Sequence, residues 1–435
     1  MQRKVGFLLA GMMFLEYAAW GAWMAILSGT LSNRGFAPEQ IGVIISAFWM
    51  GCLLSPFLGG QLVDRVMSSQ LFLSISHALC AVAAFAMAYQ TTASGLTVLM
   101  LVWSLLFAPS LGITNSISFR QIDKISSTEA ARERIFSVIR TAGTIGWIAA
   151  AGVLFIFNIL LHTPKGAVTG PIPELLLTGI FNLVMAVFSL FLPDTPPMKD
   201  QRADPFAFRK AFRLFKEVPG FAVFMWISFF AATEFMFFYN LSPQFLISLN
   251  IPYTLVPITK AISQVAEVGA LAILLPLWLP KKGMKWCLLV GSFAWPLRYL
   301  IFAIAHPVWL VVLSLGLHGF GYAFVLVVQQ LYVDRVSPSD IRASAQSLLT
   351  IMTLGVGNVL GALLSGIVQE HFTHNVISHG KVIGQVTDWA PVFILPAATT
   401  LICAFAYMIT FKDSDVEAYS RDSLDVVSSS AVPLE

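Results

Sequence analysis

The sequence predicts an all-α membrane protein with twelve transmembrane helices in two six-helix bundles. Three observations predict this fold class: the composition, a series of apolar runs, and a basic segment at the centre of the chain. Of the 435 residues, 57% are hydrophobic and 11% are charged, whereas soluble domains have about 45–50% apolar and about 25% charged residues. This composition excludes a soluble enzyme, a nucleic-acid-binding protein and a disordered chain.

The apolar runs have the length that membrane crossing requires, which is about 20 residues for a helix. They lie near 5–27, 41–62, 70–89, 95–118, 136–161, 174–193, 219–241, 256–279, 285–304, 308–331, 343–367 and 388–411. A transmembrane β-barrel is excluded because its strands alternate apolar and polar residues. The first run is too long for the apolar core of a signal peptide, so we interpret it as the first span.

The runs fall into two sets of six. They occupy stretches of equal length, 1–193 and 219–411, separated by a basic linker at 194–218. Two equal six-span halves are typical of transporters that are built from repeats. The linker interleaves basic residues with four phenylalanines, which predicts an amphipathic helix lying on the membrane surface.

Basic residues are distributed unequally between the two sets of loops. One set, taken with the termini and the linker, holds 20 lysines and arginines, whereas the other holds 3. Because cytoplasmic loops are enriched in basic residues, we expect a multi-pass protein of the cytoplasmic (inner) membrane with both termini in the cytoplasm. The tail, 412–435, lacks apolar periodicity, and we expect it to be disordered.

Motifs for catalysis and metal binding are missing from the sequence. It contains no His-Glu-x-x-His, no Gly-x-Ser-x-Gly and no Gly-rich phosphate loop. The four cysteines, Cys52, Cys80, Cys287 and Cys403, lie in apolar stretches without paired spacing. We therefore expect no enzyme activity, no metal site and no tightly bound cofactor.

Six lysine, arginine and glutamate residues lie inside the predicted spans, away from the span ends. A charge at mid-membrane costs at least about 2.5–3.5 kcal/mol, so such residues usually have a function. They are Glu16, Arg140, Glu234, Lys260, Glu267 and Arg298. Because burial favours the protonated form of a carboxyl group, the glutamates are candidates for proton coupling, with Glu267 first and Glu16 and Glu234 second.

Span 8 carries a polar stripe of Lys260, Gln264 and Glu267. Residues three, four and seven apart share a helix face, and an amide beside a carboxylate suits a polar solute because the amide both donates and accepts. The alternative is a structural ion pair between Lys260 and Glu267.

Span 5 carries Arg140, Thr144 and Trp147 on one face. A cation, a hydroxyl group and an aromatic plane could hold a ring-bearing ligand by hydrogen bonding and stacking. The alternative is that Trp147 belongs to the core and that the glycines between these residues serve only helix packing.

His318 and Tyr322 share a face of span 10. They are a second pair of candidates for substrate binding, although a histidine on an apolar helix also serves packing. For Arg298 on span 9, we favour a structural role as the partner of a carbonyl or carboxylate group.

Several short motifs resemble those of a known transporter family. The turn Gly60–Arg65 resembles the loop signature of the major facilitator superfamily, although Ser68 and Ser69 replace the usual basic residues. Five further segments are similar to the nucleoside:proton symporter family within it. These are Trp20–Trp23, Thr114–Ser118, Gly143–Gly146, Ser263–Glu267 and Ile341–Gln346.

The resemblance implies the major facilitator fold, with two bundles related by a pseudo-two-fold axis, and a nucleoside held by residues of both. The matching positions are Arg140, Thr144, Trp147, Gln264, Glu267, His318 and Tyr322. Two features depart from the family pattern. The acid that usually follows the span-10 aromatic is Ala323, and the span-7 amides fall at Met236 and Tyr239, so Tyr239 is a further candidate.

The function that the resemblance implies is proton-coupled uptake of nucleosides by alternating access. We expect a monomer in the lipid bilayer whose partners are a nucleoside and protons, with no nucleic acid. One alternative is a major facilitator transporter of another solute, such as a sugar or an exported small molecule. A more distant alternative is a membrane sensor that transports nothing.

Overall fold

The computed structural model describes residues 2–65, 67–125, 128–160, 170–196, 207–338, 341–378 and 381–412. Most of the linker's first half and the tail beyond Lys412, including the segment that we expect to be disordered, lie outside these ranges. Almost all of the described residues are helical.

Among the residues that the structure describes, seven helices precede the linker. They are α1 (Gln2–Met24), α2 (Leu27–Asn33), α3 (Pro38–Arg65), α4 (Ser69–Ala88), α5 (Ala93–Asp123), α6 (Glu129–Leu160) and α7 (Pro173–Ser189). Local sequence signals start two of them. The Thr92 hydroxyl oxygen accepts from the Gly95 amide 3.2 Å away and caps α5, and Pro173 occupies the first turn of α7.

The second part of the chain contains longer composite helices. Its elements are the 3-10 turn Ala207–Arg213, α8 (Leu214–Glu217), α9 (Phe221–Ser248), the 3-10 turn Tyr253–Leu255, α10 (Val256–Gly269), the π-helical segment Ala270–Leu274, α11 (Leu275–Ile304), α12 (Val308–Ser314), α13 (Leu317–Gly321), the π-helical segment Tyr322–Val327, α14 (Val328–Val336), α15 (Arg342–Thr350), the π-helical segment Ile351–Gly357, α16 (Asn358–His371), β1 (Thr373–Ser378), β2 (Lys381–Thr387) and α17 (Trp389–Thr410).

The helices confirm the predicted spans. Within the described ranges, nine helical stretches are long and apolar enough to cross a membrane, and two shorter apolar helices accompany them. One of the nine, Tyr253–Ile304, is 52 residues long. It turns at Gly283, where φ is 81° and ψ is 172°, a conformation that favours glycine. This stretch therefore carries both predicted spans, 256–279 and 285–304.

Two local features were not predicted. Between α16 and α17, β1 and β2 pair as an antiparallel hairpin in which Thr373 faces Thr387. In the linker, the described part of the predicted amphipathic helix consists of the 3-10 turn Ala207–Arg213 followed by α8. Its buried side chains, Ala211 and Leu214, belong to a hydrophobic core, whereas Phe212 is exposed.

The described residues pack as two compact units. Unit 1 comprises Met1–Ala203, Phe235–Gln264 and Asn358–Trp389, and unit 2 comprises Asp204–Glu234, Val265–Gly357 and Ala390–Glu435. These packing units group residues by contact and do not follow the division into 1–193 and 219–411. That division by sequence repeat stays a prediction.

Within unit 1, α1 and α6 approach each other closely because both helices present glycines. A methyl group on Gly146 would overlap the Phe14 carbonyl group, and one on Gly143 would lie 2.7 Å from the Tyr17 ring. On α1, Gly21 leaves room for the Trp147 ring, 2.8 Å from where a Cβ would stand. This packing sets the position of α1 relative to α6.

Polar contacts also join Tyr253 to the rest of unit 1. Its hydroxyl group lies 2.7 Å from Thr30 Oγ1 and donates to Glu174 Oε2 at 3.4 Å. Arg34 donates to the Gly170 carbonyl group at 3.0 Å. These contacts hold the segment before α10 against α2 and α7.

Unit 2 has its own apolar core, which includes Phe224, Phe324, Tyr332 and Tyr407. Three π-helical segments interrupt its helices or border them. Such segments are often found at functional sites because the wider turn changes the direction of the side chains. One of them begins at Tyr322, a predicted site residue.

The contact at Gly146 predicts a destabilising substitution. Gly146→Ala should lower the stability of the purified protein by about 1–3 kcal/mol because the backbone of α1 must move away from the new methyl group. Gly152→Ala on the same helix is the matched control, since nothing lies within 4 Å of a Cβ there. Thermal unfolding in detergent compares the two, and equal melting temperatures would contradict this account of the packing.

Candidate functional site

The predicted stripe on span 5 forms part of an aromatic wall in unit 1. The Arg140 guanidinium carbon lies 4.1 Å above the Tyr17 ring, and the Trp147 ring contacts Trp20 edge-on at 5.3 Å between centroids. Thr144 lies between them on α6 and is half-buried. The wall thus presents a cation, a hydroxyl group and indole rings on neighbouring turns, as the spacing predicted.

Tyr239 and Gln264 extend this wall. The Trp147 and Tyr239 rings meet edge-on at 6.4 Å, and Gln264 Nε2 donates to the Tyr239 hydroxyl oxygen at 3.4 Å. Ser263 Oγ donates to Gln264 Oε1 at 2.9 Å. Each end of the amide thus has a hydroxyl group as its neighbour. The structure therefore brings together four of the predicted substrate-binding residues, Arg140, Trp147, Tyr239 and Gln264, in one unit.

Lys260 belongs to the same unit and is buried. Its Nζ donates to Ser242 Oγ at 2.7 Å and lies 4.1 Å from the centroid of the Phe238 ring and 5.0 Å from that of Tyr239. A hydroxyl oxygen and two ring faces can stabilise an ammonium group that is removed from water. These contacts turn the lysine toward α9.

Unit 2 contains the remaining predicted residues. Arg298 Nη2 pairs with Glu234 Oε1 at 3.3 Å, and both side chains are at most 1% exposed. This confirms the interpretation of Arg298 as the partner of an acid. The Tyr299 hydroxyl group donates to the Glu234 carbonyl oxygen at 3.2 Å. The predicted coupling residue Glu234 is thus half of a buried ion pair.

His318 lies on the other side of the same arginine. Arg298 Nη1 is 3.3 Å from His318 Nδ1. A guanidinium group only donates hydrogen bonds, so Nδ1 is the acceptor and the imidazole is neutral, with its proton on Nε2. The His318 and Tyr322 rings lie 6.4 Å apart. Arg298 therefore defines the tautomer of His318, which is fully buried.

Glu267, the first candidate for proton coupling, is half-buried in unit 2. The backbone at Ala266 and Glu267 packs directly on Gly319, where any Cβ would overlap it. This contact holds α10 against α13, which carries His318. Ala323 is fully buried, and no carboxylate stands at that position.

Glu16, the remaining candidate, belongs to a buried polar cluster of unit 1. Its carboxylate lies 3.0 Å from His77 Nε2 and accepts a hydrogen bond from Ser110. Asn182 Oδ1 lies 2.8 Å from the other ring nitrogen, His77 Nδ1. Counting histidines among the ionisable residues within spans would have drawn attention to His77, whereas no local signal links it to Asn182.

Metal chemistry has no counterpart in the described part of the chain. Among those residues, no group of three or more His, Cys, Asp or Glu side chains could hold a metal ion. Cys80, Cys287 and Cys403 are buried, and Cys52 is partly buried.

The membrane-spanning helices, with aromatic, amide and charged side chains on their buried faces, have the fold of major facilitator superfamily transporters. The solved D-xylose-proton symporter has this fold, with a TM-score of 0.69 and 12% identity over 94% of this chain and 99% of that one. The sequence profile of the nucleoside H+ symporter family matches residues 3–416. The chain belongs to that family.

Individual relatives agree with this assignment. The chain is similar to the putative nucleoside transporter YegT of Escherichia coli (strain K12), with 31% identity over 429 residues, which cover 96% of this chain and 97% of that protein. A crystal structure of an aspartate-to-alanine mutant of the nucleoside transporter NupG superposes with a TM-score of 0.81. It is 28% identical, and the match covers 94% of this chain and 100% of that one.

The ion pair in unit 2 makes a prediction about stability. Arg298→Met should destabilise the protein by about 3–5 kcal/mol, because it leaves the buried Glu234 carboxylate without a counter-charge. Arg298→Met combined with Glu234→Leu should recover most of that loss. Thermal unfolding of both variants in detergent provides the measurement.

The control for this prediction is the exposed ion pair between Arg132 and Asp123, whose side chains are 42% and 57% exposed. Arg132→Met should change the stability by less than about 1 kcal/mol. A double variant as unstable as Arg298→Met alone would contradict the compensation between Arg298 and Glu234.

Proposed function

We propose that the protein imports nucleosides together with protons by alternating access. Membership of the nucleoside H+ symporter family supports the reaction, and the names of two relatives refer to nucleoside transport. One structural observation carries the proposal for this chain. It is the aromatic wall, in which the Trp147 ring contacts the Tyr239 ring and the Gln264 amide contacts the Tyr239 hydroxyl group.

This wall suits a nucleoside because it combines two kinds of contact. The indole and phenol rings offer edges and faces for stacking on a planar base. The Gln264 amide and the Arg140 guanidinium group supply hydrogen bonds for ribose hydroxyl groups or base heteroatoms. Thr144 adds a hydroxyl group that can donate or accept.

Glu267, His318 and Tyr322 in unit 2 complete the proposed set of substrate-binding residues. A neutral imidazole with its proton on Nε2 has one hydrogen-bond donor, and the Tyr322 hydroxyl group can donate or accept. Glu267 can accept from a ribose hydroxyl group. We also keep Glu267, Glu16 and Glu234 as the candidate carboxylates for proton coupling.

For the orientation, the unequal distribution of basic residues supports both termini on the cytoplasmic side of the inner membrane. The proposed transport needs no cofactor and uses a monomer, with the bilayer, the nucleoside and the proton as partners. The repeats at 1–193 and 219–411 would provide the two bundles that alternate in access.

The experiment that tests the function uses purified protein in liposomes. Counterflow of labelled nucleosides should be saturable, and an inward proton gradient should drive their accumulation. A parallel panel of sugars should give neither. Counterflow of a sugar alone would favour another major facilitator solute, and the absence of counterflow with every solute would favour a sensor.

Gln264→Ala should weaken nucleoside binding about 5- to 150-fold, which corresponds to about 1–3 kcal/mol for leaving buried hydrogen-bonding groups unpaired. Direct binding to the detergent-purified protein measures the loss. Val265→Ala on the same helix is the matched control, since Val265 is 59% exposed, and it should bind like the wild type. Unchanged affinity of the Gln264 variant would remove this amide from the site.

A further inference from the structure

Four polar side chains from four helices meet in the interior of unit 1. Glu16 on α1, His77 on α4, Ser110 on α5 and Asn182 on α7 are each 0% exposed. In a membrane protein such a cluster is expensive to bury and is usually functional. Neither the aromatic wall nor the unit-2 ion pair uses it.

The hydrogen-bond directions in this cluster can be read from its neighbours. Asn182 Nδ2 lies 2.8 Å from the Thr178 carbonyl oxygen, and a carbonyl oxygen only accepts, so the amide nitrogen faces it. Asn182 Oδ1 consequently faces His77 Nδ1 at 2.8 Å. Because that oxygen also only accepts, Nδ1 carries a hydrogen.

The second ring nitrogen then determines the proton content of the pair. His77 Nε2 lies 3.0 Å from Glu16 Oε2. Two lone pairs would repel each other at this distance, so one hydrogen lies between the two atoms. The pair is either an imidazolium with a carboxylate or an imidazole with a carboxylic acid. In both forms it has bound one proton and its net charge is zero.

If this proton is lost, the contact between Glu16 Oε2 and His77 Nε2 cannot keep its geometry. A carboxylate and an imidazole lone pair would then face each other without water, and the pair would carry one uncompensated negative charge. Burying such a charge is strongly unfavourable. Release of the proton therefore requires α1 and α4 to separate or water to enter.

The same helix connects the pair with the proposed nucleoside wall. Tyr17 follows Glu16 in sequence and lies under the Arg140 guanidinium group, and Trp20, one turn further along α1, contacts Trp147. Movement of α1 away from α4 would displace both aromatic residues. Proton release and the shape of the wall are thus mechanically linked.

Other ionisable groups lie on the helices around the Glu16–His77 pair. On α4, the Cys80 thiol is within electrostatic range of Glu16 and lies 3.6 Å from the Trp103 carbonyl oxygen. On α6, Arg140 is engaged with Tyr17. The remaining charged residues of α1, α5, α6 and α7 lie near the helix ends. They are Arg3, Lys4, Arg120, Asp123, Glu129, Arg132, Glu133, Arg134 and Glu174.

We propose that the Glu16–His77 pair is the site that binds the co-transported proton. This rests on the proposed nucleoside–proton symport. A proton from the side of uptake joins the carboxylate and the imidazole, forming the O–H–N contact seen here. It leaves to water on the other side when α1 and α4 separate. The reaction is binding and release of H⁺ alone, with no other bond made or broken.

Glu16→Gln provides the direct test in proteoliposomes. The amide has the size of the carboxyl group, and its Nε2 can donate permanently to His77 Nε2, which imitates the protonated pair. We expect nucleoside counterflow within about twofold of the wild type. The accumulation driven by a proton gradient should fall to the equilibrium ratio, and proton uptake linked to nucleoside entry, followed with a pH-sensitive dye, should disappear.

His77→Gln is the second variant, because it keeps hydrogen-bonding capacity but removes the base. It should show the same separation of counterflow from accumulation. Glu174→Gln is the matched control, since Glu174 is an equally buried carboxylate of unit 1 whose partner is the Tyr253 hydroxyl group instead of a base. It should accumulate nucleoside like the wild type.

Three outcomes would overturn the assignment. They are wild-type accumulation in Glu16→Gln, loss of counterflow together with accumulation in both variants of the pair, and an equal loss of accumulation in Glu174→Gln. Failure of the wild type itself to exchange nucleosides would instead reject the proposed function. The counterflow measurement therefore separates the two ideas.

Discussion

A charge that is buried among apolar helices persists only where a neighbouring group compensates it, and the specific polar contacts of this protein follow from that constraint. Glu234 has Arg298, Lys260 has the Ser242 hydroxyl group and two ring faces, and Glu16 has His77. The Glu234–Arg298 and Glu16–His77 pairs each join helices that are more than 60 residues apart in sequence. The close approach of α1 and α6 at Gly146 places the Glu16–His77 pair beside the aromatic wall.

Much of the fold could be predicted because membrane crossing imposes a length and a composition on each helix. Every predicted run overlaps a helix. The runs at 256–279 and 285–304 lie in one continuous helical stretch that turns at Gly283. The π-helical turn at Tyr322 and the hairpin Thr373–Thr387 were missed. A π turn depends on how neighbouring helices pack. The two strands of the hairpin are short and lie between two strong apolar runs, and the first strand contains His-Asn-Val-Ile-Ser, which shows little alternation of apolar and polar residues.

The candidate site was predictable where its residues share one helix face. The spacing of Arg140, Thr144 and Trp147 is local, so periodicity alone could group them. The pairing of Trp147 with Tyr239 joins residues 92 positions apart, and helical periodicity has no information about it. The same limit explains why Arg298 was expected to have a partner whose identity the sequence left open, and why His77 was overlooked beside Glu16.

The Glu234–Arg298 and Glu16–His77 pairs differ in how their charge depends on protons, and the proposed route to coupling despite Ala323 rests on this difference. A guanidinium group keeps its charge at all physiological pH values, so Glu234 is compensated whether or not a proton is available. The partner of Glu16 is an imidazole, whose charge exists only while a proton is bound. The Glu16–His77 pair is therefore neutral only while it holds a proton. Because the pair lies where two helices meet, proton binding and release can be coupled to movement of these helices. Because α1 also carries Tyr17 and Trp20, that movement acts on the surface proposed to hold the nucleoside.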